Sequence, residues 1–269
     1  NKALEYHLKS LDIERSSNRG NSPFVATMIS NIGLIYNHQK EYSKALEYYL
    51  ESLNIRKSLY GDIHPEIASS LMHIGSIYDG QGEDKTALEY YLKSLDVRRS
   101  VYGDNHPDTA ACYHSIGNVY HKQKEHGKAL EYYLKALDIW RSVYGDSHAQ
   151  TVNVNTMIGI LYKDQREYKK ALEYLLKSLE FQRSINGDNH VDVATSRFHI
   201  AVIYEGQKEY EKALEYYSAS LDTQKSLYGD QHPQTIQLQD MIQLVRKKQR
   251  QKQAVFTLSP LPDTKMTPQ

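Results

Sequence analysis

Apolar positions along the chain follow a helical period, and the pattern switches phase twice in every 42 residues. In the segment Pro107 to Lys122, Ala110, Tyr113, Ile116, Gly117 and Tyr120 fall on one face of a helix. In Glu125 to Tyr144, Ala129, Leu130, Tyr133, Leu134, Leu137 and Trp140 form a broad apolar stripe with polar residues opposite. A short polar turn, beginning at His121, separates the two, and Gly145-Asp-Ser-His follows the second. The pattern predicts a helical hairpin. Gly beyond a helix suits a left-handed closing residue. Pro65, Pro107 and Pro233 suit the first turn of the next helix, where no N–H is required. Ser22 before Pro23 serves as an N-cap, and Ala149 and Val191 replace the proline without loss of period.

The hairpin repeats. Ala-Leu-Glu-Tyr begins at Ala3, Ala45, Ala87, Ala129, Ala171 and Ala213, in steps of 42. Gly-Asp begins at Gly61, Gly103, Gly145, Gly187 and Gly229 with the same step. Gly33, Gly75, Gly117 and Gly159, then Ala201, sit inside first helices, where Gly costs about 1 kcal/mol against Ala. That cost predicts close approach by a neighbouring helix, with the small face of Ala45 and its equivalents opposite. One hairpin cannot bury its own stripe, so the units must stack. The expected organisation is a solenoid over 1–252. It comprises a lone second helix at 1–18, hairpins at 23–60, 65–102, 107–144, 149–186 and 191–228, and a capping helix at 233–252. A disordered tail is expected over 253–269, which contains three prolines and no period.

Ile116, Gly117, Tyr120, Ala129, Tyr133 and Ala136, at this spacing, resemble the tetratricopeptide repeat. The 42-residue form, with Tyr-Gly-Asp-Asn-His-Pro between units, is similar to the kinesin-light-chain subclass. The resemblance extends from residue 1 to about 245. It implies an all-α fold, a right-handed superhelix of antiparallel hairpins whose first helices line a concave groove holding peptides or partner domains. The family's carboxylate clamp finds only Asn118 in the best register. The Asn pair of the kinesin-light-chain groove is matched only at Asn31.

Columns that repeat hold a solenoid together, whereas columns that vary can encode a partner. The varying inner columns of the first helices contain Met72, Ser76, His114, Asn118, His121, Asn153, Thr156, Lys163 and Phe198, with Lys122 beside them in the middle of the groove and Asn31 added from the Asn pair. These are the candidate protein-binding residues. An extended peptide is expected across the centre, its backbone bonded by Asn118 and Asn153. Lys122 and Lys163 would favour an acidic partner.

Composition narrows the function classes. Lys plus Arg and Asp plus Glu are 33 each, without the basic excess of a nucleic-acid binder. Hydrophobic residues make up 40%, against roughly 45–50% in ordinary globular chains, which fits an elongated body. No apolar run reaches the roughly 18 residues of a membrane helix. The single cysteine, Cys112, suggests a reducing compartment such as the cytoplasm. The chain opens at Asn1 inside a repeat, as a piece of a longer protein would.

No cofactor or metal is expected. His64, His106, His148, His190 and His232 recur at 42, so they lie about 10 Å apart per helix layer rather than around one ion. Their expected role is structural, at helix starts. Most of the 23 tyrosines fall in repeated columns and are expected to pack. The basic run from Arg246 to Lys252 reads as a solvated final helix. Phosphate loops, His-Glu-x-x-His and Gly-x-Ser-x-Gly are absent, so no catalytic residue is nominated and no enzyme is expected. The leading expectation is a protein-interaction scaffold. The alternative is a regulatory or oligomerising segment of a larger protein, self-associating through its terminal helices.

Overall fold

A computed structural model describes residues 2–16 and 21–258 of the chain. Every secondary-structure element among the described residues is an α-helix. The chain falls into two compact units, Asn1–Gly145 and Asp146–Gln269.

The first unit begins with α1 (Lys2–Ser16). Three hairpins follow: α2 (Pro23–His38) with α3 (Tyr42–Tyr60), α4 (Pro65–Gln81) with α5 (Asp84–Tyr102), and α6 (Pro107–Lys122) with α7 (His126–Tyr144). The second unit holds α8 (Ala149–Asp164) with α9 (Tyr168–Asn186), α10 (Val191–Gly206) with α11 (Tyr210–Tyr228), and the final α12 (Pro233–Leu258). α12 runs past Lys252, where the sequence suggests the tail begins. Residues 253–258 contain no Gly or Pro, and the helix extends to Leu258. The tail expectation from 259 onward lies outside the described residues.

The helices α4, α6, α10 and α12 are started by the repeated histidine, whereas Ser22 caps α2 and His148 makes no side-chain cap bond to α8. Nδ1 of His64 accepts the Glu66 N–H at 3.3 Å, and His106, His190 and His232 do the same for Asp108, Asp192 and Gln234. The imidazole therefore satisfies one of the donors a helix start leaves open. Tyr60, Tyr102 and Tyr228, from the preceding helix, stack on His64, His106 and His232 with ring centroids 4.1, 4.1 and 4.9 Å away.

The glycine that ends each second helix does not take the expected left-handed helical conformation. Gly103 has φ +84° and ψ −180°, a region open almost only to glycine, and it sends the chain out extended toward the histidine cap. Left-handed closure occurs instead in the turn inside each hairpin. It falls at Gly82 once and at Lys40, Lys124, Arg166 and Lys208 otherwise. There Glu125 N–H reaches back to Tyr120 O at 2.9 Å, satisfying a carbonyl at the end of α6.

Packing within each hairpin of the first unit centres on a ring over a glycine, whereas Gly159 in the second faces Leu175. A Cβ added to Gly117 would lie 2.6 Å from the Tyr133 ring, and one on Gly75 2.7 Å from Tyr91. The close approach thus comes from an aromatic side chain, with the expected small residue, such as Ala45, contributing its backbone oxygen. Serine locks the same interface: Ser52 Oγ donates to Ala26 O at 2.7 Å, and Ser94 and Ser220 repeat the bond to Ala68 and Ala194. In the first unit Ala45, Tyr49, Leu53, Ile67 and Ile74 form one stretch of core. In the second, Ala213 and Tyr217 pack with Leu238, Ile242 and Val245 of α12. Gln243 of α12, exposed, occupies the column held elsewhere by Gly or Ala, so that face does not offer a ring a seat.

Candidate functional site

The first helices place the varying columns side by side within each unit. In the first unit, Asn31 on α2 is exposed. Met72 on α4 is half-buried, its sulfur 3.6 Å from Cys112 Sγ. Ser76 Oγ donates to His73 O in its own helix. On α6, His114 lies against Tyr133 and Trp140, with centroids 5.8 and 5.6 Å away. Asn118 Oδ1 accepts the Tyr133 hydroxyl at 2.8 Å, which fixes the carboxamide. Burial raises the Tyr133 phenol well above its ordinary range, so it stays a donor.

Lys122 is not a free cation. It binds Asp79, both at the carboxylate and at the backbone oxygen 3.0 Å away, and Asp84 Oδ1 lies at 3.2 Å. Partial burial works against its charge, but the two carboxylates outweigh it and raise its pKa. Beside it, the His121 ring is 6.1 Å from His126 and 6.4 Å from Tyr133.

In the second unit, Lys163 is likewise paired, with Asp164 at 3.0 Å and His199 Nδ1 at 3.4 Å. The attraction for an acidic partner that the sequence suggests is thus already largely spent inside the molecule. Asn153 is exposed at the edge of a cavity of about 180 Å³ between α8, α9 and α10. Thr156 lines the same cavity but is buried, donating to Val152 O and accepting from Gln182 Nε2 at 3.2 Å. Phe198, set edge-on to Tyr217 at 5.7 Å, lines a larger cavity of about 350 Å³ between α10, α11 and α12. Asn118 belongs to the first unit and Asn153 to the second.

Reading the first helices alone misses Gln182, Gln224 and Met241, which shape these cavities. The signal is present: Arg56, Arg98, Trp140, Gln182 and Gln224 occupy one column near the end of successive second helices, and that column changes along the chain. Among the described residues no group of His, Cys, Asp or Glu is arranged to hold a metal ion. No helix among them is long and apolar enough to cross a membrane.

Stacked helical hairpins with a constant core and a variable first-helix face define a repeat protein of the interaction-scaffold kind. The tetratricopeptide repeat model matches six overlapping segments, 1–58, 24–100, 66–140, 114–184, 152–226 and 192–255, and the chain belongs to that family. No curated relative matches the sequence. Among solved structures, the chain is similar to BtubC (BKLC) from P. vanneervenii, at TM-score 0.73 and 18% identity, over 87% of this chain and 95% of that one. It is also similar to a putative kinesin light chain with nearly identical TPR-like repeats from Podosopora anserina. That match has TM-score 0.62 and 16% identity, over 74% of this chain and 95% of that one. The apo form of the quorum sensor NprR from B. thuringiensis matches at TM-score 0.69 and 18% identity, over 92% of this chain and 66% of that one. At these identities the likeness is one of fold.

Proposed function

We propose that the chain is a non-enzymatic protein-binding scaffold that holds a peptide or a partner helix against the first-helix face of its repeats. The observation that carries this reading is the division of labour between columns. Repeated positions such as Ala45, Tyr49, Ser52 and Ile74 are buried or bonded within the hairpins. Varying positions such as Asn31, Asn153 and Phe198 remain open to solvent at least in part, and Asn153 and Phe198 line cavities. A scaffold of repeats keeps its stacking residues constant and varies its contact residues. The candidate contacts are Asn31, Met72, Ser76, His114, Asn118, His121 and Lys122 in the first unit, and Asn153, Thr156, Lys163 and Phe198 in the second.

The test is retention of a degenerate peptide pool on the immobilised chain, compared with an Asn31→Ala, Asn118→Ala, Asn153→Ala triple variant. The reading expects specific retention that the triple variant reduces. Equal retention by both, or none by either, counts against it.

The second reading, self-association, is supported by α1. Tyr6 and Ile13 on it are 70% and 64% exposed. Light scattering over a concentration series separates the two: a concentration-independent dimer that no longer binds peptide favours assembly.

A further inference from the structure

The two cavities of the second unit occupy equivalent positions one repeat apart. Val152, Asn153, Thr156, Gln182 and Ile185 around the smaller correspond to Ala194, Thr195, Phe198, Gln224 and Leu227 around the larger. Thr195 lines both, so they share a wall residue and form one trough along α8, α10 and α12.

The two ends of the trough differ in chemistry. In the smaller, Gln182 is satisfied from within: its Nε2 donates to Thr156 Oγ1 at 3.2 Å, and its Oε1 accepts from Ser196 Oγ at 2.7 Å. One repeat later Phe198 stands in place of Thr156 and Leu238 in place of Ser196. Gln224 has lost both partners, and its Oε1 is buried with no hydrogen bond. Val191, Leu227, Leu238 and Met241 form the apolar part of the larger cavity's wall, with Thr195, Gln234 and Gln237 adding polar groups.

Charge is equally one-sided. Neither cavity has a Lys or Arg in its lining, and the smaller has one carboxylate, Asp192. His190 Nδ1 lies 3.5 Å from Asp192 Oδ2 and accepts the Asp192 backbone N–H.

We propose that this trough binds an extended peptide that places a large apolar side chain in the larger cavity and a basic side chain, Arg or Lys, in the smaller. The inference rests on the peptide-scaffold reading and specifies the ligand of the second unit. The apolar residue displaces water from Leu227, Leu238 and Met241. A donor on the peptide meets Gln224 Oε1, a group whose burial without a partner is otherwise unfavourable. The ammonium or guanidinium meets Asp192 and the side-chain oxygens of Asn153 and Thr195, with no cation in the lining to repel it. An acidic side chain there would face Asp192 alone.

The experiment is selection of a short-peptide library, with one fixed Leu and degenerate flanks, on the immobilised full chain, followed by affinity measurements with the selected labelled peptide. The expected result is enrichment of Arg or Lys over Asp or Glu at one flanking position. Gln224→Trp, which fills the larger cavity as Trp140 fills its own place, should weaken binding by about tenfold or more. Gln224→Leu, which removes the acceptor with little change in shape, should weaken it by roughly fivefold and keeps the test valid if the tryptophan variant does not fold. Asp192→Asn should abolish the preference for Arg or Lys while leaving binding of the apolar part. Enrichment of acidic residues, or a basic preference that survives Asp192→Asn, overturns the proposal while leaving the scaffold reading intact, since peptides still bind. Failure to retain any peptide overturns both.

Discussion

The same column near the end of the second helices is plugged in the first unit and open in the second. Arg56 reaches Ser70 Oγ at 2.7 Å and Glu66 at 2.9 Å, and Arg98 donates to Asp108 O at 2.6 Å. The Trp140 indole is buried and donates to Pro107 O at 3.2 Å. In the second unit the column shrinks to Gln182 and Gln224, and cavities of about 180 and 350 Å³ appear beside them. The backbone elements are alike, so the side chain decides whether a hairpin fills its own face or leaves it for another molecule. Repeats can thus exchange stability for recognition without changing their period.

The largest effect that would break this comparison is expected at Trp140. Trp140→Gln converts the plugged column into the open one. It removes a buried ring of the size that costs about 3–5 kcal/mol when truncated to Ala, so a loss of that order, reduced by the remaining Gln stem, is expected in urea denaturation. Gln224→Trp, entering an existing cavity, should cost far less. Similar losses for both would show that the column does not control packing.

The glycine column gives the next effect. Gly117→Ala must push the Tyr133 ring, which stands 2.6 Å from the new Cβ, against neighbours that leave little room. An overpacking loss of about 1–3 kcal/mol is expected, against a helix-propensity gain of about 1 kcal/mol. Gly33→Ala meets the Tyr49 ring at 3.2 Å and should come out closer to neutral. Thermal melts of the two variants, compared with the parent, check the order.

The glycine and histidine columns show what the sequence could and could not convey. The helices, their starts and the hairpin pairing are legible because period, Gly-Asp and His-Pro punctuation report local backbone demands. The partner of Gly117 is not: the sequence suggests an opposing small face, whereas the partner is a tyrosine at a column that also reads as ordinary core. The left-handed lysines, Lys40, Lys124 and Lys208, are invisible for a related reason, because a polar turn residue carries no mark of its φ. At the candidate site, variability flagged Asn153 and Phe198 but not the state of Lys122 and Lys163, whose carboxylate partners are set by tertiary packing. Gln224 was missed because its importance lies in partners it lacks.

A smaller effect should come from pH and should belong to the first unit. His73 stacks on Tyr49 at 5.0 Å, and its pKa is lowered, first by burial and then by the Arg56 and Arg98 charges. The unfolded chain, with His near 6.5, therefore binds more protons than the folded one as pH falls. Stability from this residue is complete well above about pH 6.5, declines as pH drops through that value, and levels off below the lowered folded pKa. His73→Phe should flatten part of the dependence between pH 7 and pH 5, in chemical denaturation followed across that range. An unchanged slope would assign the acid sensitivity to other groups.

The smallest effect concerns the turn inside the hairpin and should be alike in both units. Lys124 and Arg166 hold φ at 60° and 61°, a conformation that Cβ disfavours and that glycine at 82 adopts freely. Glycine also gives the unfolded chain more freedom, which offsets part of the relief. Lys124→Gly and Arg166→Gly should therefore each gain only about 0.5–1 kcal/mol, and Gly82→Lys should lose a similar amount. If the gain appears at 124 and not at 166, the two units hold this turn in place by different means, and the contrast between them extends beyond the single column near the ends of the second helices.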